Sequence, residues 1–344
     1  MRARFRKHRL EFRAPSGTSR GILNYKDSWY LELTDDDGAT GVGECSTIAG
    51  LSPEGNIDVD ERLYSLCQKI NQNGRADGFD FVSAPALRFA LETAEADLAL
   101  NGKRTICPCP LLEGEPIPIN GLIWMGSAEF MLAQIRTKID EGYNCIKLKV
   151  GAIDFETELE ILKKARSEFG HDIILRVDAN GGFSSEGALE KLNRLSELEI
   201  HSIEQPIAVG QYDELARLCE VSPIPIALDE ELILERSHTD MQNLLDHILP
   251  QYLILKPSLL GGMQASEEWI RMAEERKIGW WVTSALESNI GLNAIAQWTS
   301  SLSTVGHQGL GTGQLFTNNI DSPLYIESGH LHYDNEKPVW ARIF

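Results

Sequence analysis

Short apolar runs in this chain end at residues 149, 178, 204, 229, 256, 284 and 309, at intervals of 29, 26, 25, 27, 28 and 25 residues. No other feature narrows the fold as far. Each interval holds one strand, one helix and two short connections, which is the length a parallel crossover requires. The runs predict strands over 117–123, 144–150, 173–178, 200–204, 225–229, 252–256, 279–284 and 304–308. Helical patterns fill the gaps, as in DFETELEILKKARSEF at 154–169 and SSEGALEKLNRLSEL at 184–198. Eight such units over about 200 residues predict an α/β fold of the (β/α)8, TIM-type barrel kind. No sequence motif recurs with the beat, so the repetition is structural. The alternative, a doubly wound open sheet, lacks a GxGxxG turn in its first unit.

Residues 1 to about 110 have a different texture. Extended stretches at about 2–13 and 28–34 lead to turn signals such as Asp35-Asp36-Asp37-Gly38, and 3–4 spacing of apolar residues predicts helices near 60–71 and 85–101. Arg2, Arg4, Arg6, Lys7, Arg9 and Arg13 crowd the N-terminus, interleaved with Phe5, Leu10 and Phe12. An amphipathic first strand is the better reading than a transit peptide, and no apolar core of a secretory signal is present.

Charge excludes some functions. Lys and Arg number 32 against 51 Asp and Glu, a formal net charge of −19. Such a surface repels phosphate backbones, so no nucleic-acid partner is expected. No apolar run approaches the roughly 20 residues of a membrane span, so no membrane partner is expected either. The six cysteines, at 45, 67, 107, 109, 145 and 219, are irregularly spaced in a long chain. That predicts reduced thiols and a cytoplasmic location. Cys107-Pro-Cys109 has no second pair with which to form a zinc site, and His330 and His332 read as part of a polar strand or turn.

The chemistry lies at the strand ends, the face of a barrel that carries the active site. Asp178 closes IILRVD, Glu204 closes IHSIE and Asp229 closes IPIALD. Three carboxylates on consecutive strands repel one another unless a cation sits among them, and hard oxygen donors suit Mg²⁺, with Mn²⁺ as the alternative. No His or Cys stands at an equivalent position, which disfavours Zn²⁺. In CIKLKV, period-2 alternation sends Lys147 and Lys149 to one face and Ile146, Leu148 and Val150 to the other. The apolar face packs on helices, so both lysines enter the barrel. A desolvated lysine beside a second cation is suited to act as a general base. Lys256 closes YLILK four strands further on, directly opposite. Lysines on both sides of a carboxylate trio suit abstraction of a proton α to a carboxylate, with enediolate charge offset by the metal.

KLK, VDAN, IEQP, ALDE and LKPSLLGG, in this order, resemble the muconate-lactonizing subgroup of the enolase superfamily. The resemblance covers nearly the whole chain. It implies an α+β capping domain over 1–113, a barrel over 114–315, and a C-terminal segment, 316–344, returning to the cap. Within the subgroup the chain is most similar to the o-succinylbenzoate synthase family. That similarity rests on Gly17 to Gly21 before Trp29, Arg176 in LRVDAN, SALESNIG at 284–291 and GLGTGQLF at 309–316. It implies a Mg²⁺-dependent syn-dehydration of 2-succinyl-6-hydroxy-2,4-cyclohexadiene-1-carboxylate in menaquinone biosynthesis.

Carried over to these positions, Lys149 is the base, Lys256 stabilises the enediolate through a cation–π contact, and Lys147 lies near the substrate carboxylate and favours the neutral form of Lys149. Asp178, Glu204 and Asp229 hold the metal, with Asn180, Glu230 and Arg176 behind them. Arg20, Ser284 and the backbone at Gly309 meet the small carboxylate substrate. Ala285 departs from the small polar residue of some relatives. Gly309-Leu310-Gly311 replaces the Asp-x-Asp pair that holds the α-ammonium in dipeptide epimerases, which argues against that activity. N-acylamino acid racemase, epimerase and cycloisomerase remain the nearest alternatives, since two opposed lysines also suffice for 1,1-proton transfer. A binding protein that kept the barrel without its chemistry is the remaining class. The sequence leaves oligomeric state open, a homo-oligomer included.

Overall fold

The structure is a computed structural model that describes residues 1–18, 21–151, 153–234, 237–337, 340 and 343–344. Strands β1 (Arg2–Thr18), β2 (Gly21–Thr34) and β3 (Thr40–Ser46) form an antiparallel sheet in that order. The first two run longer than the sequence predicts, and β3 was not expected. Helices α1 (Val59–Asn73) and α2 (Pro85–Ala99) close over one face. Trp29, Leu31 and Leu33 meet Leu63, Leu66 and Ile70 of α1 and Leu87, Ala90 and Ala94 of α2 in a core of their own. The GVG of β3 explains how closely sheet and helix approach: a Cβ at Gly43 would stand 1.9 Å from the Ala90 carbonyl oxygen.

The beat then begins. The predicted first strand, 117–123, divides. Strand β4 (Ile117–Pro118) pairs antiparallel with a C-terminal strand, and β5 (Gly121–Ile123) opens a parallel sheet. Next come α3 (Ala128–Asp140), β6 (Cys145–Lys149), α4 (Phe155–Phe169), β7 (Ile174–Asp178), α5 (Ser185–Ser196), β8 (Ser202–Glu204), α6 (Tyr212–Val221) and β9 (Ile226–Leu228). After these follow α7 (Glu230–Leu234), α8 (His238–Ile248), β10 (Tyr252–Leu255), α9 (Pro257–Leu260), α10 (Met263–Glu275), β11 (Gly279–Val282) and α11 (Asn289–Ser301). Strands β5 to β11 pair in sequence order as a seven-stranded parallel sheet. Several helices start on the side chain that ends the preceding loop: Asp154 accepts from the Thr157 N–H, Ser184 from Gly187 and Ser127 from Phe130.

The expected eighth strand over 304–308 does not form as a strand. Gly306 takes a left-handed φ of 75° and breaks the run. Only Gln308 and Gly309 pair, in isolated parallel bridges to Ile119 on one side and Thr283 on the other. Ile119 lies just before β5 and Thr283 just after β11, the two edge strands of the sheet. Beyond them, β12 (Leu324–Glu327) and β13 (His330–Tyr333) form a hairpin that pairs with β4. Phe316 bridges Phe12 of β1, and Ile343 packs with Tyr30, Val42 and Ile290.

Alternation along the parallel strands follows the sequence. Ile146, Leu148, Leu175, Val177, Ile203, Ile226 and Leu228 join the large core beneath the helices. The intervening residues face the other way. All six cysteines are free. No helix among the described residues is long and apolar enough to cross a membrane.

Candidate active site

Strand register sets the site. Lys149 of β6 is the lateral partner of Asp178 on β7, which is the partner of Glu204 on β8. Asp229 and Lys256 follow immediately after β9 and β10. Three strands separate β6 from β10, so Lys149 and Lys256 approach the carboxylates from opposite sides. Lys147, Lys149, Asp178, Asn180, Glu230 and Lys256 line one end of a cavity of about 480 Å³, whose other end is formed by residues of β1, β2, the 48–51 segment and the 283–286 and 309–315 loops. That volume suits a small molecule.

The polar groups are paired with one another. Lys147 Nζ lies 2.5 Å from Glu204 Oε2 and 3.0 Å from Asp178 Oδ2. Lys149 Nζ donates to Asp178 Oδ2 at 3.0 Å and to Asn180 Oδ1 at 2.6 Å. Lys256 Nζ donates to Asp229 Oδ2 and lies 4.0 Å from Glu204 Oε1. Asn180 Nδ2 donates to Glu230 Oε1 at 2.9 Å, so these two residues, expected behind the carboxylates, form a chain that ends on Lys149. Asn180 takes a left-handed φ of 44°, a conformation asparagine tolerates.

Burial and charge act against each other here. Desolvation disfavours the ammonium of Lys147, but Asp178, Glu204 and Asp229 outweigh it and raise its pKa, so Lys147 stays charged. Lys256 is raised in the same way, chiefly by Asp229 and Glu204 against desolvation. Desolvation also opposes the charged Asp178, yet Lys147, Lys149 and Lys256 hold it well below the usual carboxylate range. Glu204 goes the other way: burial, with the Asp178 and Asp229 carboxylates, lifts it to about 8 against the pull of the lysines.

Among the described residues no group of three or more His, Cys, Asp or Glu side chains is set to hold a metal ion as it stands. The ion pairs give the reason, because Lys147 bridges Asp178 and Glu204, and Lys256 reaches from Asp229 toward Glu204. The donor set itself fits a hard divalent cation. It is all carboxylate, almost fully buried, and Glu204 Oε1 has no hydrogen-bond partner.

The other expected residues are placed less simply. Arg176 is buried one layer below the carboxylates. It donates to the His307 carbonyl at 2.9 Å and its guanidinium lies 4.0 Å over the Trp281 ring. Its contacts are thus to the floor of the parallel sheet. Ser284 lines the cavity, with its hydroxyl shared with Thr312 Oγ1. The backbone of Gly309 is already engaged: its N–H donates to Val282 and its carbonyl accepts from Ser284 N–H and Thr283 Oγ1. Glycine is required there because a Cβ would stand 1.5 Å from Thr283 Oγ1. Arg20 lies outside the described residues.

The floor around Arg176 sets an acid limit. His201 stacks on Tyr252 at 5.3 Å, and burial, with the nearby Arg176 and His307, lowers its pKa to about 4. An unfolded histidine takes its proton near 6.5. The unfolded chain therefore binds more protons between these values, and stability falls as pH drops from about 6.5 toward 4. Between pH 6.5 and 5.0 the urea midpoint of the wild type should shift downward relative to that of His201→Gln, whatever the other titrating groups contribute to both. The same pH-dependent change in both proteins would remove His201 from the explanation.

Sequence reasoning missed a buried network joining the N-terminal sheet to the 284–291 segment. Glu44 of β3 accepts from the Ser288 and Gly291 N–H groups, both at 2.9 Å, and from the Ser288 hydroxyl at 2.5 Å, at the start of α11. Lys26 donates to Ser46 Oγ and to the Leu286 carbonyl at 2.8 Å, and burial lowers its pKa. Glu287 accepts from Ser258 Oγ and the Ala285 N–H. The visible signal was charge within apolar stretches, as in GVGEC. Glu44→Ala leaves these donors unpaired in the interior and should cost about 3 kcal/mol in urea unfolding. A loss below about 1 kcal/mol would mean that water replaces the carboxylate.

Residues 131–338 match the enolase C-terminal domain-like family. Over 96% of its length the chain is 45% identical to the o-succinylbenzoate synthase of Desulfotalea psychrophila, covering 98% of that protein. The crystal structure of MenC from the same organism superposes with a TM-score of 0.85 at 43% identity, over 96% of this chain and 99% of that one. An N-succinyl-L-Arg/Lys racemase of Bacillus cereus is 26% identical over 96% of the chain and 91% of its own length.

Proposed function

The chain belongs to the enolase C-terminal domain-like family, and on that premise we propose that it is an o-succinylbenzoate synthase, a carbon–oxygen lyase of menaquinone biosynthesis. Near-full-length identity of 45% to a protein of that activity supports the reaction. The observation that carries the chemistry is the pair Lys149 and Lys256 set on opposite sides of Asp178, Glu204 and Asp229.

Asp178, Glu204 and Asp229 are the residues to hold a divalent cation, Mg²⁺ first and Mn²⁺ as the alternative, which when bound supplies positive charge beside the substrate carboxylate. Lys147, firmly charged, orients that carboxylate. Lys149 Nζ takes the proton from C1 of 2-succinyl-6-hydroxy-2,4-cyclohexadiene-1-carboxylate, and the electron pair moves into the carboxylate as an enediolate. Lys256 faces this charge from the other side. The electrons then return, the C6–O bond breaks, and Lys149 gives its proton to the departing hydroxide. Water and the aromatic dicarboxylate are the products. Asn180 and Glu230 hold Lys149 in line.

The bridges at Gln308 and Gly309 support reading that segment as the eighth strand of a closed (β/α)8 barrel. The separate core over β1–β3, α1 and α2 supports an α+β cap over 1–113, with 114–315 as the barrel and 316–344 returning to the cap. Catalysis in the cytoplasm, on a small carboxylate and without nucleic-acid or membrane partners, completes the proposal. A racemase is the second reading, favoured by the opposed lysines and the 26% identical relative. Incubating N-succinylamino acids with the protein in D₂O separates the two, since α-deuterium incorporation with inversion, in the absence of dehydration, supports racemisation.

A further inference from the structure

The cavity has two chemically different ends. Beyond the lysines and carboxylates, its far wall is largely apolar, formed by Ala14, Leu23, Ile48, Leu51, Leu286 and Leu315. Arg13 is the one charged side chain among the described residues of that wall. Its placement follows from a slip in the β1–β2 ladder between Glu11 and Ser16. There β1 leaves its partner and meets the C-terminal segment instead. Phe12 bridges Phe316 with ring centroids 4.9 Å apart, and Thr317 N–H donates to the Glu11 carbonyl at 2.8 Å.

Arg13 Nε donates to the Gln314 carbonyl at 2.9 Å, and among the described residues its Nη1 and Nη2 make no further hydrogen bond. Among the described residues Arg13 has no carboxylate partner, in a chain with 51 acidic residues. Lys138, which also borders the cavity, is by contrast paired with Glu141 at 2.6 Å. Arg13 also borders a neighbouring polar hollow with Asn289, Asn319 and Asp321, so it stands where that hollow meets the apolar wall, a position that suits the bidentate grip of a carboxylate carried on a short apolar arm.

We propose that Arg13 binds the distal carboxylate of the substrate, and so selects an acyl arm that ends in an anion over one that ends in a methyl group. This rests on the reading above, in which the ring carboxylate occupies the lysine end of the cavity. Arg13 is then a specificity residue acting on binding, remote from the proton transfer.

The test compares o-succinylbenzoate with 2-butyrylbenzoate, which has the same chain length and no distal carboxylate, by titration calorimetry with Mg²⁺ present. The wild-type protein should bind the dicarboxylate about 10- to 100-fold more tightly. Arg13→Gln should lose that preference, Arg13→Lys should keep part of it, and the affinity for 2-butyrylbenzoate should be the same in all three. In turnover, the loss in Arg13→Gln should fall on KM far more than on kcat. An unchanged preference in Arg13→Gln, with wild-type turnover intact, overturns the role of Arg13 alone. Wild-type protein that neither binds o-succinylbenzoate nor turns over the cyclohexadiene overturns both this proposal and the reaction it rests on.

Discussion

Lys149→Ala is expected to lower dehydration by about 10⁴-fold while leaving the fold and divalent-cation binding in place. Among the described residues Lys149 Nζ hydrogen-bonds to Asp178 and Asn180, and Lys147 continues to pair with Asp178 after its removal. Among the described residues no other group is placed to take over the proton. Lys147 is held charged between two carboxylates, and Lys256 stands on the opposite side, tied to Asp229. Lys149→Arg should be as inactive as Lys149→Ala, because a guanidinium keeps the charge and does not give up its proton in this pH range. Circular dichroism and a Mg²⁺ titration would establish that each variant is folded. Turnover within tenfold of wild type in either one would contradict the assignment of the base.

The second large effect is expected at Glu204. Glu204→Gln preserves size and one carbonyl oxygen but removes a negative charge from the donor set. The wild-type thermal midpoint should rise on adding Mg²⁺, as it must when a ligand binds only the native state. Glu204→Gln should show no such rise and should lose at least about 10³-fold in turnover. Without added metal the order of stability reverses. The folded protein raises the Glu204 carboxyl to about 8, above its unfolded value, so wild-type stability decreases as pH rises from the ordinary glutamate range toward 8. Glu204→Gln lacks this penalty and should be at least as stable as metal-free wild type at pH 8. An undiminished Mg²⁺ response in Glu204→Gln would remove Glu204 from the metal set.

Local periodicity explains what was readable beforehand. Lys147 and Lys149 alternate with Ile146, Leu148 and Val150, and the pleat alone decides that lysines and apolar residues go to opposite faces. Asp178, Glu204 and Asp229 each end an apolar run, and the parallel register places the first two side by side. The eighth strand was less legible because Gly306 breaks a run too short to survive it. The first strand misled because residues 117–118 and 121–123 serve different sheets, a division set by partners at 330–331 and 146–148. The Lys26, Glu44 and Glu287 network was invisible for the same reason. Glu44 meets Ser288 across 244 residues, and Lys26 meets Leu286 across 260. Nothing in the neighbourhood of either residue reports a partner so distant. Arg13 looked like one of several basic residues on a first strand, and only the ladder slip after Glu11 separates it from them.

The central claim is that this constellation dehydrates a cyclohexadiene carboxylate with the help of a divalent cation. Its most direct test is a spectrophotometric assay of purified protein on 2-succinyl-6-hydroxy-2,4-cyclohexadiene-1-carboxylate, following loss of the diene absorbance with Mg²⁺ and after chelation by EDTA. The account predicts rapid aromatisation with Mg²⁺, none after chelation, and recovery when Mg²⁺ is restored. A protein that binds Mg²⁺ and leaves the diene unchanged would contradict it.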